Sequence, residues 1–360
     1  MSTLDMTKDV LFIGKGSSAV CWYRCALPAT FMGADWVGIA GAPPEMSFQT
    51  GLVQRATQVP DINAYKVVVV QQPTGVKWLT AIKHLQSKGI KVVYEIDDYI
   101  HGIRKKVDHD FRKDFNKEYV KGAEMCMRVC DALIASTEYI AKRYRSFNRN
   151  VFVCRNGIDG GRYDLTLPDR GMVGDERAVT VGWSGATGHA LHVAPWLRAL
   201  SRVMAQRESV NFVSIGQNLA TEFQRVFGDR RGINVPFTLI EQYPAAMTLM
   251  DIALAPAGKD AFSRGKSDLR WLEASALGIP VIGDPTLYHE IEDGRTGFWA
   301  EEATDAEALI HQLVSQPELR AEVGGRAREY VLANRTMDQA VGRWHQTLQM
   351  IADGQGAPEL

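Results

Sequence analysis

Between Asp260 and Pro280 the chain reads Asp-Ala-Phe-Ser-Arg-Gly-Lys-Ser-Asp-Leu-Arg-Trp-Leu-Glu-Ala-Ser-Ala-Leu-Gly-Ile-Pro. Arg264 and Lys266 bracket a glycine just ahead of a helix start, and Glu273 follows about two turns in. A helix N-terminus offers free N–H groups and partial positive charge, so two cations beside it make a spot that suits a diphosphate. A carboxylate further along the same side can accept both hydroxyls of a ribose. These are the needs of a nucleotide-sugar site. An ordinary amphipathic helix with solvated charges, Glu273 paired with Arg270, satisfies the same spacing.

The elements that position these residues follow from periodicity. Ser267 is the expected N-cap, Asp268 suits the first turn, and Leu269, Leu272 and Ala276 form a buried stripe. Gly278 closes the helix and Val281-Ile282-Gly283 is a buried strand. Upstream, Val10–Gly14 reads as a strand, and Gly14-Lys15-Gly16-Ser17 as a tight turn into a helical pattern running to Pro28. That turn lacks the third glycine of the dinucleotide fingerprint, so a plain βα turn competes with a phosphate cradle. Further strands are expected at 35–40, 67–70, 91–97, 132–136 and 151–154, with helices between. The pattern restarts at Val179–Gly185, followed by Ala186-Thr187-Gly188-His189 and a helix to Arg207. Asn211–Gly216, Phe237–Ile240, Ile252–Ala255 and Pro280–Gly283 read as strands, and 304–350 as three helices broken near Pro317 and Asn334. The expected architecture is α/β, two Rossmann-like parallel-sheet domains facing a cleft. The boundaries are 1–165 for an acceptor-side domain and 166–177 for a polar linker. A donor domain covers 178–335, a helix returning toward the first domain 336–353, and a tail read as disordered 354–360.

Composition limits the function classes. A chain of 360 residues has room for two cores, and a formal net charge of −1 argues against a wholly electrostatic nucleic-acid binder. No apolar run approaches the ~20 residues that span a bilayer, and the polar N-terminus is unlike a signal peptide. Five cysteines, Cys21, Cys25, Cys126, Cys130 and Cys154, fit a reducing compartment and read as small buried residues, with no histidine spacing that suggests zinc. Asp97 and Asp98 end an apolar strand, where they can orient or deprotonate an acceptor hydroxyl or cap a turn. Beyond them Arg104, Lys105, Lys106, Arg112, Lys113, Lys117 and Lys121 outnumber Asp108, Asp110, Asp114 and Glu118. That segment is either a solvated helix face or a surface for an anionic acceptor.

With these residues in place the chain resembles the GT-B glycosyltransferases, in particular the retaining "group 1" (family 4) members. The likeness lies in Lys266-Ser267, Leu272-Glu273-Ala274-Ser275-Ala276-Leu277-Gly278-Ile279-Pro280, Asp293-Gly294-Arg295-Thr296-Gly297-Phe298, Asp131–Thr137 and Asn156-Gly157-Ile158-Asp159. The family's first glutamate would fall at Gly265, and the cations it often places after the second domain's first strand are absent from Gly182–His189. Arg264 and Lys266 are inferred to supply that charge. The resemblance implies transfer of a sugar from a UDP- or GDP-type donor to a glycan, lipid-linked or protein hydroxyl. No cofactor and no metal are expected, and neither is an enzymatic nucleophile. Donor binding is expected from Gly14, Gly16, Ser17, Gly185, Thr187, His189, Arg264, Lys266, Ser267 and Glu273, with catalysis from Arg264, Lys266 and Asp97. Acceptor binding is expected from Asp97, Asp98 and His101. His189 is equally a capping or surface histidine. Two other readings stand: a phage-type enzyme acting on modified bases in DNA, and a non-catalytic nucleotide-sugar-binding protein. A cytoplasmic place is expected, peripheral at the inner membrane surface in one version and in a host cytoplasm in the phage version.

Overall fold

The structure, a computed structural model, describes residues 3–16, 18–39, 61–103, 115–168, 171–173, 176–186 and 190–359. Two compact units emerge. One comprises Met1–Gly157, Gly265–Ser267 and Met337–Leu360, the other Ile158–Arg264 and Asp268–Thr336. The first unit therefore closes at Gly157, eight positions before the expected 165. The cause is local: Ile158 N–H donates to Arg335 O at 3.1 Å, and Ile158 bridges Thr336, all within the second unit.

The first unit is built on a six-stranded parallel sheet. Its strands are β1 (Val10–Lys15), β2 (Asp35–Ile39), β3 (Val67–Gln71), β4 (Lys91–Ile96), β5 (Ala132–Ala135) and β6 (Val151–Val153), in the order β2-β1-β3-β4-β5-β6. Every residue of β3 is buried, as a strand covered on both faces requires. The order reverses between β1 and β3, which makes the carboxyl ends of those strands the ligand crevice of this topology. Helices Val76–Ser87, Lys117–Val129 and Glu138–Tyr144 follow β3, β4 and β5. The last two are capped by Asn116 Oδ1 and Thr137 Oγ1, which accept from Tyr119 N–H and Ile140 N–H.

Gly14 and Gly16 serve different ends. A Cβ on Gly14 would collide with Cys21 Sγ, so this glycine lets the following helix pack on β1. Gly16 has φ +68° with open space around it, and only its backbone conformation calls for glycine. The helical run from Ala19 to Met32 passes through a π-turn at Trp22–Ala26, and that turn carries Arg24 into the interior. Arg24, 1% exposed, donates to Glu95 Oε1 (2.6 Å), Cys154 O (2.7 Å) and Asn156 Oδ1 (2.9 Å). Its guanidinium lies 4.9 Å from the ring centroid of Trp344, on the helix Met337–Ala352. Trp344 also meets Phe12 edge-on at 5.8 Å. The tail is tied down: Ala357 N–H donates to Asn150 Oδ1 and Arg145 Nη2 to Pro358 O, both at 2.7 Å. All five cysteines are free and buried.

In the second unit a short antiparallel pair, β7 (Met172–Val173) and β8 (Glu176–Arg177), occupies part of the expected linker. A second six-stranded parallel sheet follows, with β9 (Val179–Gly185), β10 (Val210–Gly216), β11 (Gly232–Val235), β12 (Ile252–Ala255), β13 (Val281–Gly283) and β14 (Phe298–Trp299). The order β11-β10-β9-β12-β13-β14 reverses between β9 and β12. The strand expected at Phe237–Ile240 lies earlier, at Gly232–Val235. β10 ends at Gly216, opposite the end of β11, so a later strand would have no neighbour to bond, and Pro236 lacks an N–H. The three C-terminal helices run Ala303–Ser315, Pro317–Asn334 and Met337–Ala352.

Removing one partner of a buried ion pair strands the other charge away from water. Arg24→Met should therefore cost the first unit about 3–5 kcal/mol. Pairing it with Glu95→Met should recover most of that loss, as read by chemical denaturation of both variants.

Candidate functional site

At the carboxyl ends of β1, β3 and β4 a polar cluster gathers within the first unit. Lys15 N–H donates to Gln71 Oε1 at 2.8 Å. Gln72 has φ 44°, a left-handed conformation unusual for a residue with a side chain. Its Nε2 donates to Asp97 Oδ1 at 2.8 Å, and its Oε1 accepts from Tyr119 OH at 3.2 Å. Lys15 Nζ stands 5.0 Å from the centroid of Tyr119. Lys266 Nζ meets Asp98 Oδ1 at 2.5 Å. Burial pushes the Asp97 carboxyl up to about 8, and the charges of Asp98 and Glu95 add to it against the pull of Lys266 and Arg24. Asp97 therefore holds a proton near neutrality while Asp98 is ion-paired.

The segment Gly265–Ser267 belongs to this unit. A Cβ on Gly265 would fall 2.9 Å from Tyr99 Cβ, so a glutamate does not fit there, and Gly265 O accepts from Thr137 Oγ1 at 3.3 Å. Ser267 does not cap the helix. Its Oγ accepts from Asn156 Nδ2 at 2.8 Å, and Asn156 is in turn held by Arg24. His101 is fixed by neighbours: Nε2 lies 3.0 Å from Glu124 Oε1, Nδ1 lies 3.3 Å from Tyr144 OH, and the ring stacks on Phe147 at 5.1 Å. Beside it is a cavity of about 630 Å³ whose walls include Ile100, Ile103, Phe115, Lys117, Val120 and Lys121.

In the second unit the candidate residues collect at the end of β9. Tyr243 OH lies 2.8 Å from Ser184 Oγ and 3.3 Å from Glu273 Oε2, and Glu273 is 5% exposed. Burial, then the charge on Glu273, pushes the Tyr243 phenol well up, so it stays a hydrogen-bond donor. A Cβ on Gly185 would fall 2.8 Å from Arg270 Nη2, so glycine there lets the guanidinium lie across the strand end. The helix Leu269–Ala276 takes Asp268 as its N-cap, without a side-chain capping bond, because Arg335 claims that carboxylate at 2.8 and 3.0 Å. Arg264 is exposed and makes no ion pair among the described residues.

Ser17, Thr187, His189 and the basic stretch 104–114 lie outside the described residues. Gly14 is occupied in helix packing, whereas Gly16 stands open at the β1 end. Sequence reasoning assigned no role to Tyr243, Ser184, Asn156 or Arg24. It also passed over His192, whose Nε2 is 3.5 Å from Ser263 Oγ and 3.8 Å from Asp260 Oδ2. Of these only Asn156 lies in a stretch the sequence had singled out, the Asn-Gly pair after β6, and its bond to Ser267 had no local signal.

A carboxyl whose folded pKa is raised gives stability that is full below its unfolded value, near 3.8, and is lost as pH rises through about 8. Asp97→Asn, which copies the protonated form, should match the wild type near pH 4 and exceed it increasingly up to pH 8 in denaturation experiments.

A glycosyl transferase-like family model matches residues 195–346. No curated protein sequence matches the chain. Among solved structures it is similar to HepE from Anabaena in complex with UDP-glucose, at 16% identity and a TM-score of 0.63, over 95% of this chain and 99% of that one. Sucrose-phosphate synthase from Thermosynechococcus elongatus aligns at 13% identity and TM-score 0.66, over 96% and 99%. A glycosyltransferase from Rickettsia africae aligns at 12% and 0.61, over 96% and 98%. At these identities the likeness to solved structures is one of fold. Residues 195–346 thus carry a glycosyl transferase-like match, and the chain, with two parallel six-stranded sheets, has the GT-B fold.

Proposed function

We propose that the protein transfers a sugar from a nucleotide-sugar donor to an acceptor hydroxyl, with retention of anomeric configuration and without a metal ion. The observation that carries this is the buried carboxylate of Glu273, with Tyr243 and Ser184, at the carboxyl edge of β9 beside the reversal in strand order. A carboxylate accepts the two hydroxyls of a ribose, and Tyr243 orients it. Arg270, across Gly185, and the exposed Arg264 are the second unit's cations for a diphosphate whose charge grows as the glycosidic bond breaks. HepE, of the same fold, was crystallised with UDP-glucose, so UDP-sugars are the first donors to try.

Lys266 was expected to serve the diphosphate. Its ion pair with Asp98 supports a role in setting the charge of the acidic cluster in the first unit, the acceptor-side candidate. There Asp97, Asp98 and Gln72 offer hydrogen bonds to a hydroxyl. The nearby cavity is lined by the apolar Ile100, Ile103, Phe115 and Val120 and by the polar His101, Asn116, Lys117, Lys121 and Glu124; with Glu124 engaged by His101, the two lysines favour a lipid-linked, anionic acceptor over a neutral glycan. Among the described residues no group of three or more His, Cys, Asp or Glu side chains is placed to hold a metal ion, and no helix is long and apolar enough to cross a membrane.

Incubation with UDP- and GDP-sugars should show slow donor hydrolysis that persists in EDTA, and product NMR should show the donor's anomeric configuration. Glu273→Gln should weaken donor binding about tenfold or more, the worth of hydrogen bonds to a charged group, with an unchanged melting temperature. Wild-type donor affinity in that variant would remove Glu273 from the site.

A further inference from the structure

Phe237 is 69% exposed and Leu239 67%, both in the segment between β11 and the helix Tyr243–Met247 that bonds to no neighbouring strand. A large apolar side chain left in water is informative when its position is tied to a site. Here it is tied. The Cβ that Gly216 lacks would lie 3.0 Å from Phe237 Cε1 and 2.6 Å from Gly185 O. Gly185 O also accepts from Gln217 N–H at 2.9 Å. The phenyl ring thus lies at the carboxyl end of β10, next to the end of β9 that carries Ser184 and Gly185, where Tyr243 links Ser184 to Glu273. Gly216, with φ +92°, keeps a side chain out of the space between ring and strand. The backbone between the ring and the phenol of Tyr243 is short: Leu239 O accepts from the N–H groups of Gln242 and Tyr243, so the exposed segment turns straight into the residue that bonds Glu273.

A flat apolar ring one strand away from a ribose-binding carboxylate matches the layout of a nucleoside, whose base extends from the sugar and offers a π-face whatever its identity. We propose that Phe237 is the platform on which the base of the donor's nucleoside diphosphate stacks. This rests on the nucleotide-sugar reading above and adds the residue that holds the base.

The test is calorimetric titration of the full chain with UDP and, separately, with ribose 5-phosphate, which lacks a base. Wild type, Phe237→Ala and Phe237→Trp are compared, with light scattering of each. Because the ring is mostly in solvent, the substitutions leave the fold intact, which a thermal melt checks. Phe237→Ala should weaken UDP about tenfold, the low end of base–aromatic stacking, and leave ribose 5-phosphate unchanged. Phe237→Trp should bind UDP at least as well as the wild type. Equal UDP affinity in wild type and Phe237→Ala overturns the stacking role while leaving the nucleotide-sugar reading intact. A change of oligomeric state with unchanged UDP affinity assigns the ring to a protein interface and overturns it too. If the wild type binds no nucleotide, both readings fall together.

Discussion

A guanidinium shut away from water must find its hydrogen bonds in protein, and Arg24 sets much of the first unit by that demand. Its donors reach β4 through Glu95, the end of β6 through Cys154 O, and the following loop through Asn156, while its flat face lies against Trp344. Taking two charges out of water is costly and is recovered only with good geometry. The recovery is incomplete here, since Arg24 Nη2 and Glu95 Oε2 have no hydrogen-bond partner among the described residues. Such a pair is weak evidence for stability and better evidence for a fixed arrangement. What it fixes is Asn156, which holds Ser267, and so the short segment that brings Lys266 to Asp98.

Both sheets present their polar clusters at the same kind of place. Where strand order reverses, the helices leaving adjacent strands go to opposite faces, and a crevice opens at the carboxyl ends. Gln71 and Gln72 stand there in the first unit, Ser184 and Gly185 in the second. The two clusters differ in electrostatics. The first crowds three carboxyl groups, Glu95, Asp97 and Asp98, against two cations, and the outcome is an Asp97 carboxyl held well above its ordinary range. The second has one buried carboxylate held by a phenol. A carboxyl pushed well above its ordinary range by burial and neighbouring charge is a common mark of functional sites.

The strands were largely legible because parallel strands buried on both faces leave continuous apolar runs, as Val67–Val70 and Ile252–Ala255 do. The break at Pro317 was legible because proline opens helices and cannot continue them, and the one near Asn334 because asparagine is a poor helix former that favours helix ends. Phe237–Ile240 misled: its apolar character reflects exposure at a strand end and not burial, and sequence pattern does not separate the two. Gly14 misled for a related reason, since a glycine needed for a helix to approach a strand looks like one needed for a phosphate. Of the candidate site, Glu273, Asp97 and Asp98 were readable from position relative to their elements. Tyr243, Asn156 and Arg24 were not, because their roles come from partners 30, 111 and 71 residues away in the chain.

The buried thiols have one more consequence. All five cysteines fall in the first unit, and burial drives the Cys21 and Cys126 thiols up to about 12, so the reactive thiolate is scarce in the native state. An alkylating reagent can reach them only through opening of that sheet and its helices. The molecule thereby carries a native chemical clock for one half of itself, one that runs when the N-terminal sheet breathes and stays silent through any loosening of the other.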